Sequence, residues 1–254
     1  MHKQRTRQHK HGNGIELCAA CGAVMAPARP KRKRPAHRLV PEHNVAIMSD
    51  PSKMPGYSFG LPAHKSCPRA SGTICENCYA EKGRYTFENV RNALNVRFAW
   101  TVECMRTDEG MQQWIDAMVR CIGSTVSEYF RIHDSGDFFN ARYARAWMEV
   151  CRLLPRKKFW APTRSYQQPN GILPIFDPLL AVLREMAQLP NVCIRPSALD
   201  FGNAAPIVIG LHAGSTAGND AEAFQCPAHL QDNECGDCRH CWENKTVSVN
   251  YQIH

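Results

Sequence analysis

The spacing of apolar residues along the chain predicts amphipathic helices separated by short strands. Apolar residues recur three and four positions apart over residues 87–106, 111–121, 141–154 and 176–189, which predicts helices. Short apolar runs predict strands at 129–133, 158–162, 191–195 and 205–210. Strands that alternate with helices are typical of a parallel sheet joined by helical connections. The pattern therefore predicts an α/β fold.

Polar side chains gather at or directly after three of the predicted strands. These residues are His133, Asp134, Ser135, Asp137, Thr163, Arg164, Arg195 and Ser197. Each one alone is explained as readily by a loop or a helix cap. The carboxyl ends of the strands, however, form the active face of parallel α/β folds. Their repetition at equivalent strand ends therefore predicts a binding pocket at that edge.

Charge separates the N-terminal part of the chain from the rest. Residues 1–38 contain ten Lys or Arg and a single acid, Glu16, so they carry +9, and the net charge of +8 leaves −1 for residues 39–254. We expect residues 1–42 to be a disordered basic arm, and such arms often contact the phosphates of nucleic acids. The sequence predicts no membrane-spanning segment and no secretory signal.

The 13 cysteines indicate metal sites rather than disulfides, because the sequence predicts no secretory signal and the cytosol keeps thiols reduced. Four of them stand alone in apolar surroundings and are predicted to be core residues: Cys104, Cys121, Cys151 and Cys193. The other nine fall into three clusters, and spacing within a cluster is what distinguishes metal ligands from buried thiols.

Cys67, Cys75 and Cys78 form a cluster with the spacing C-x7-C-x2-C, followed by Tyr79. Three thiolates in one loop suit a [4Fe–4S] cluster and leave one iron free to bind a cofactor or substrate. A zinc site with His64 as fourth ligand is one alternative, and three reduced structural cysteines are another. The pattern favours the iron–sulfur cluster.

Cys226, Cys235, Cys238 and Cys241 form the densest cluster, which ends in C-x2-C-x2-C. Four thiolates can ligate a cubane cluster completely or close a tetrahedral zinc site. We therefore predict a second [4Fe–4S] cluster or a structural zinc ion here. Either one would attach the C-terminal segment to the body of the protein.

Cys18 and Cys21, with His37 and His43, match a loose zinc-finger spacing. Four prolines between residues 27 and 41 prevent the helix that would present the histidines. Two free thiols in a disordered segment are the simpler interpretation, and a zinc knuckle that uses other ligands is the alternative.

Several stretches resemble the gene product 88 family of phage proteins. They are residues 75–85, 131–138, 159–165 and 235–242, together with the closing His254. The resemblance covers about residues 44–254 and implies a phage or prophage origin, with activity in the cytoplasm of the bacterial host. The three-cysteine loop ahead of the βα units also resembles that of radical S-adenosylmethionine (SAM) enzymes.

The radical SAM resemblance implies a domain organisation and a cofactor. Residues 43–212 would form a partial (β/α) barrel and residues 213–254 a cysteine-rich metal-binding tail, after the basic arm. The cluster on Cys67, Cys75 and Cys78 would bind SAM and receive electrons from a reductant protein. The residues implied to line the SAM and substrate pocket are His133, Ser135, Asp137, Thr163, Arg164 and Arg195. Of these, Arg164 or Arg195 would pair with the SAM carboxylate, and Asp137 with the ribose hydroxyls.

The favoured interpretation is thus an iron–sulfur enzyme of the radical SAM type whose substrate the sequence does not reveal. Nucleic acid is the preferred substrate class because the arm is basic. The main alternative is a zinc-stabilised nucleic-acid-binding protein without catalytic activity, in which both cysteine clusters are structural. An interaction protein that acts on a host factor is the third interpretation.

Overall fold

The computed structural model describes residues 38–168, 171–172, 176–218 and 220–252. The chain divides into two units, residues 1–35 and 36–254, and the described residues belong to the second unit. Most of the predicted arm lies outside the described residues, and so do Cys18, Cys21, His37 and His254. The predictions made for those four residues stay predictions.

The described part of the chain contains nine strands and six α-helices. The strands are β1 (Tyr57–Phe59), β2 (Tyr129–Ile132), β3 (Lys158–Thr163), β4 (Gln167–Gln168), β5 (Gly171–Ile172), β6 (Val192–Pro196), β7 (Ser215–Ala217), β8 (Phe224–Gln225) and β9 (Val249–Tyr251). The helices are α1 (Thr73–Glu76), α2 (Glu88–Cys104), α3 (Asp108–Gly123), α4 (Ala141–Leu153), α5 (Pro178–Ala187) and α6 (His240–Glu243). Short 3-10 turns occupy Tyr79–Glu81, Gly83–Thr86 and Pro227–Leu230.

The main sheet has four parallel strands in the order β1-β2-β3-β6. Each strand therefore lies next to the one that precedes it in this sheet along the chain. Crossovers between parallel strands are right-handed in nearly all proteins, and successive crossovers in one direction place the connecting helices on one face. Helices α2, α3, α4 and α5 accordingly pack side by side in chain order. The predicted α/β fold with parallel strands is confirmed.

Aromatic side chains fill the space between the sheet and the helix layer. Phe59 of β1 lies 5.9 Å from Trp114 of α3 and 5.6 Å from Trp147 of α4, both edge-on. Phe130 of β2 lies 6.0 Å from Trp147 and 5.9 Å from Phe159 of β3. All five rings are at most 1% exposed. Burial of large aromatic side chains in such edge-to-face pairs is a major source of the stability of the body.

The long helices form close to where apolar spacing predicts them, because local capping agrees with that spacing. Asn140 Oδ1 accepts a hydrogen bond from the Tyr143 backbone N–H at 2.8 Å and begins α4. Asp177 Oδ1 accepts from the N–H groups of Leu179 and Leu180, both at 3.0 Å, and begins α5. Cys121, Cys151 and Cys193 are buried as predicted, and Cys104 is partly buried against the core.

The C-terminal segment covers the second face of the main sheet. Strands β7, β9 and β8 form a parallel sheet in that order, and a bridge between Ser197 and Ser215 joins it to the end of β6. Helix α6 rests on the main sheet through Trp242, whose Nε1 donates to the Phe130 carbonyl at 3.0 Å. The ring of Trp242 lies 5.1 Å from that of Trp160.

Two boundaries differ from the sequence prediction. Val40 is 1% exposed within the core, so the packed body begins before residue 43. Residues 205–210 form no strand. Residues 204–208 have no regular secondary structure, and Gly210 adopts a φ of +83°, which is incompatible with a strand. The strand that follows β6 is β7 instead. Among the described residues, no helix is long and apolar enough to cross a membrane.

Candidate active-site cavity

A cavity of about 640 Å³ opens at the carboxyl edge of the parallel strands. Its walls come from the segments that follow β1, β2, β3 and β6, and from β7 and the end of β9. The chemistry-bearing residues that line it include Cys67, Cys75, Cys78, Tyr79, Lys82, Arg131, Asp137, Thr163, Arg164, Ser197 and Tyr251. A volume of this size is typical of small-molecule and cofactor sites. The structure therefore brings all three cysteines of the first cluster to one cavity.

The segment that carries these cysteines, residues 67–78, is anchored over the ends of β3 and β6. The Thr73 N–H donates to Asp200 Oδ1 at 2.8 Å, and the Ile74 N–H donates to the Leu199 carbonyl at 3.0 Å. Arg69 donates to the Gln167 carbonyl at 3.0 Å and forms an ion pair of 3.2 Å with Asp177. These contacts fix the loop in front of the strand ends.

Gly72 is required for the close approach of this loop to the segment after β6. Its φ is +78°, a backbone conformation that side chains rarely tolerate. A Cβ atom at this position would lie 2.5 Å from the Leu199 carbonyl oxygen. Any larger residue must therefore push the cysteine loop away from the strand end.

The three thiols lie in a shared electrostatic environment. Burial, followed by the charge of Asp137, raises the pKa of the Cys67 thiol to about 12. Burial also raises the pKa of Cys78, which interacts electrostatically with Cys67, Cys75 and the Arg164 guanidinium. Thiols with raised pKa values stay protonated at neutral pH, so any metal bound here must displace protons.

No group of three or more His, Cys, Asp or Glu side chains in the described part of the chain is arranged to hold a single metal ion. Four thiolates on one zinc ion at 2.3 Å would lie about 3.8 Å apart. His64, the alternative fourth ligand, has its Nε2 3.3 Å from Glu81 Oε1 instead. Within the described residues, the structure therefore offers no zinc site made of Cys67, Cys75, Cys78 and His64.

Asp137 organises the floor of the cavity. Its Oδ1 accepts hydrogen bonds from the Thr163 hydroxyl and the Phe138 N–H, both at 2.7 Å, and its Oδ2 accepts from the Arg164 N–H at 2.8 Å. Burial raises the pKa of this carboxyl, and these donors oppose the shift. The carboxylate therefore ties the end of β2 to the end of β3.

Arg164 offers its guanidinium to a ligand in the cavity. Its Nε donates to the Ala198 carbonyl at 3.0 Å, which directs the guanidinium along the cavity wall. Neither terminal nitrogen has a hydrogen-bond partner among the residues that the structure describes. A guanidinium with both terminal nitrogens free can bind a carboxylate or phosphate bidentately.

His133 and Ser135 reach the cavity lining but use their side chains elsewhere. The His133 ring is 1% exposed and packs against Phe138 at 4.7 Å, and its Nε2 lies 2.9 Å from the Tyr143 hydroxyl. Burial lowers the pKa of His133 to about 3, so the ring is neutral. The Ser135 hydroxyl donates to the Leu61 carbonyl at 2.7 Å. Both side chains thus stabilise the strand ends.

Arg195 lies away from the cavity, beneath the C-terminal segment. It is completely buried, and its guanidinium donates to the carbonyls of Ala213 at 2.7 Å and Val247 at 3.0 Å. It also donates to the His240 carbonyl at 3.2 Å and to the Asn244 carbonyl. The structure therefore brings five of the six predicted pocket residues to the cavity and leaves out Arg195.

The four C-terminal cysteines lie on this covering segment, and within the described residues they too form no group arranged to hold a single metal ion. Each is partly buried, and their electrostatic interactions join Cys226, Cys235, Cys238 and Cys241 into one group. Burial raises the pKa of Cys241 to about 12. Cys241 Sγ lies 3.4 Å from the hydroxyl of Tyr251, which lines the cavity. The two cysteine sites are thus close neighbours across one wall.

A protein-family model described as Gene product 88 matches residues 28–244. The chain belongs to this family. The match spans both cysteine sites and all the strands of the main sheet, so the family relationship applies to the cavity as well as to the fold. The family resemblance of the sequence is thereby confirmed.

Two curated phage proteins are similar to part of this family member. The Gene 88 protein of Mycobacterium phage L5 is 33% identical over 117 residues, which is 42% of this chain and 47% of that protein. The Gene 88 protein of Mycobacterium phage D29 is 34% identical over 116 residues, with the same coverage. The chain thus matches about half the length of these relatives. No solved structure matches it.

Three cavity residues of this family member were not predicted from sequence. Arg131 stacks 4.6 Å above the ring of Trp160 and donates to the Tyr79 hydroxyl at 3.2 Å. Arg131 and Trp160 lie within strands, where alternation shows two faces but not which one borders a cavity. Tyr79 directly follows a predicted ligand, Cys78, and that position is the one signal that could have identified it.

Proposed function

We propose that this protein is an iron–sulfur enzyme of the radical SAM type, with a [4Fe–4S] cluster held by Cys67, Cys75 and Cys78. One observation carries the proposal: three cysteines of one anchored loop line a cavity at the carboxyl edge of a parallel sheet. Catalytic sites of parallel α/β folds lie at that edge. The same observation supports a partial barrel as the architecture around the site.

Three thiols of one loop at a cavity provide the soft ligands that an iron–sulfur cluster needs. Three soft ligands leave one iron without a protein ligand, where a cofactor can bind.

The residues of the chain would bind and orient the cofactor. The free terminal nitrogens of Arg164, beside Cys78, suit the carboxylate of SAM. Asp137 accepts three hydrogen bonds that hold the Arg164 backbone in place, and its carboxylate keeps acceptor capacity for a ribose hydroxyl. When bound, the cluster and SAM together would supply one-electron cleavage and hydrogen-atom abstraction. The cavity walls would exclude water from that chemistry.

The direct test is anaerobic purification and reconstitution of the full chain with iron and sulfide. We expect brown protein that cleaves SAM to 5′-deoxyadenosine under a reductant. The Cys75→Ala variant should lose about four irons and four sulfides per chain and all cleavage. Cys104→Ala, a partly buried cysteine outside both sites, is the matched control and should lose neither. Colourless protein that takes up zinc and not iron would contradict the proposal.

Nucleic acid is the substrate class that we propose to test first, in the host cytoplasm. The supporting observations are the +9 charge of residues 1–38 and the cations Lys82 and Arg164 at the cavity. Phosphate contacts make binding fall steeply with salt. We expect RNA or DNA binding by the full chain to weaken as salt rises. We also expect deletion of residues 1–37 to weaken the binding measured at one salt concentration. Binding unaffected by that deletion would remove the arm from the proposal.

The basic arm also fits the alternative function, a zinc-stabilised nucleic-acid-binding protein without catalysis. In that case both cysteine sites would hold zinc, and nucleic-acid binding would persist in protein that contains no iron. Metal analysis of the same preparation separates the two functions. Stoichiometric zinc with full nucleic-acid binding would favour the alternative.

A further inference from the structure

We propose that the mouth of the cavity binds unpaired nucleotides of a single strand of nucleic acid. Their bases stack on the rings of Tyr79 and Phe201, and one of their phosphates pairs with Lys82. This inference deepens the proposed function, since it names the part of the substrate that meets the cavity, and it rests on that function in taking nucleic acid as the substrate class. It uses none of the residues proposed to hold the cluster or the cofactor.

Two aromatic rings of the cavity lining stay open to solvent. Among the described residues, the exposed large aromatic residues of the lining are Tyr79, which is 55% exposed, and Phe201, which is 38% exposed. Trp160, in the same lining, is 5% exposed. An aromatic ring that faces a cavity instead of the core is available to stack on a planar group of a ligand.

Tyr79 is held at its hydroxyl end, so its ring is fixed in place. The hydroxyl donates to the Asp134 carbonyl and accepts from the Arg131 guanidinium at 3.2 Å. The ring of Tyr85 packs edge-on against that of Tyr79 at 5.9 Å, and the Tyr85 hydroxyl donates to Asp134 Oδ2 at 2.9 Å. A ring that is oriented before binding loses little conformational freedom when a base stacks on it.

Phe201 borders the cavity from the other side. It follows β6, and its N–H donates to Thr73 Oγ1 at 3.3 Å. Tyr79 is tied through Asp134 to the end of β2, and β3 lies between β2 and β6 in the sheet. The two rings therefore stand on either side of the end of β3. A strand that crosses the cavity mouth can meet both of them.

The charge of the lining suits a chain of phosphates. The lining contains three cations, Lys82, Arg131 and Arg164, and a single carboxylate, Asp137. Within the described part of the chain, the Lys82 side chain has no hydrogen-bond or ion-pair partner. It follows Tyr79 by three positions. An aromatic ring beside a free cation is the combination with which proteins bind single strands, because the ring stacks on a base and the cation pairs with the backbone.

The site suits a single strand and not a duplex. Bases in a double helix stack on one another, so their faces are covered, whereas bases of a single strand can be splayed out onto aromatic side chains. A cavity of about 640 Å³ also has no room for a double helix. Stacking on a phenyl or phenol ring does not read the edge of a base, so we expect little sequence preference.

The first experiment separates base stacking from phosphate contacts. Fluorescence anisotropy would measure binding of the full chain to a labelled oligothymidylate and to an abasic strand of the same length. Wild type should bind the oligothymidylate at least about fivefold more tightly. Tyr79→Ala and Phe201→Ala should each weaken that binding by about fivefold and leave binding of the abasic strand unchanged. Phe87→Ala is the matched control, because Phe87 is 57% exposed and lies outside the lining, and it should change neither.

Lys82→Met should show the opposite pattern. It should weaken binding of both strands alike and reduce the slope of log affinity against log salt by about 0.7, because one phosphate contact is lost. Tyr79→Phe keeps the ring and should bind the oligothymidylate much as wild type does. A loss in Tyr79→Phe equal to that in Tyr79→Ala would contradict stacking. Equal effects of Tyr79→Ala and Phe201→Ala on both strands, or no effect on either, would overturn the inference.

A measurement on wild type guards against disturbance of the cysteine loop in the Tyr79 variants. On irradiation, 5-iodouracil forms a covalent adduct with an aromatic ring on which it stacks. A strand that contains this base would be irradiated in complex with the full chain, and peptide mapping should find the adduct on Tyr79 or Phe201. Adducts confined to other residues would overturn the inference.

Failure of this inference and failure of the proposed function give different results, because the binding assays require neither iron nor SAM cleavage. Wild type that cleaves SAM but binds both strands equally would overturn this inference alone. Wild type that prefers the oligothymidylate but takes up zinc and not iron would overturn the enzyme proposal alone.

Discussion

Replacement of Arg195 by methionine tests whether this residue stabilises the C-terminal segment or serves a ligand. The side chain is completely buried, and its guanidinium donates to five backbone carbonyls within hydrogen-bond distance: Ala213, His240, Cys241, Asn244 and Val247. Methionine keeps much of the apolar volume and removes every donor. The substitution therefore isolates the hydrogen bonds from the packing.

The size of the effect follows from the carbonyls left without a partner. Each shielded acceptor that loses its donor costs about 1–3 kcal/mol, which gives about 5 kcal/mol for five of them at the low end of that range, because their residues are only partly buried. Removal of a buried charge recovers part of its desolvation cost, so we expect a net loss of about 3 kcal/mol. Arg152→Met is the matched control. Arg152 is about 41% exposed and pairs with Glu185 at 2.7 Å, an interaction worth at most about 1 kcal/mol.

Urea unfolding followed by tryptophan fluorescence measures both losses, and hydrogen exchange locates them. In Arg195→Met, exchange should accelerate in residues 213–252 before the main sheet opens. A loss no larger than that of Arg152→Met would refute the structural role. Weaker SAM binding at unchanged stability would instead restore Arg195 to the ligand-binding residues.

The remaining predictions concern the cavity and the buried histidines. Gly72→Ala should lower the iron content, because its Cβ would meet a backbone oxygen at 2.5 Å. Gly202→Ala is the control: Gly202 has a similar φ of +80° but open space around it, so iron analysis should show no loss. Arg164→Met should weaken SAM binding by about tenfold in calorimetry, with an unchanged urea midpoint. Burial lowers the pKa of His133 to about 3 and that of His212 to about 4. Histidine in the unfolded chain binds a proton near pH 6.5, so the free energy of unfolding should fall as pH drops below 6.5. The expected loss at pH 5 is about 2 kcal/mol for His133 alone. Urea midpoints that stay unchanged from pH 7 to 5 would contradict this.

The helices were predictable because their local signals and their burial agree. Of the four residues that the spacing places on one face of α4, Tyr143, Trp147 and Val150 are fully buried and Leu154 is partly buried. Asn140 caps the helix where the pattern begins. In such segments spacing, capping and packing all favour the same structure. Strands of two or three residues, such as β1, carry no comparable signal, because their partners lie far away in sequence.

Prediction of the site was limited by the orientation of side chains. The cysteine spacing identified the loop that lines the cavity, since clustering of thiols is a property of sequence. Every residue of β6 is buried, so alternation could not show that Arg195 points to the C-terminal segment. The position of His133 at the end of a strand predicts a pocket residue, yet its ring turns into the aromatic core. Both cases depend on contacts between distant parts of the chain.

The assembly of the cavity wall also orders events during synthesis of the protein. Cys67 belongs to the first strand connection, whereas Tyr251 lies on the last described strand, and both line the same cavity. The βα units between them can pack one after another as the ribosome releases them, since their contacts are largely sequential. The cavity, however, stays open to solvent until β9 has been released and has paired with β7 and β8. Any group that needs protection from water or oxygen is therefore best inserted after translation has passed β9.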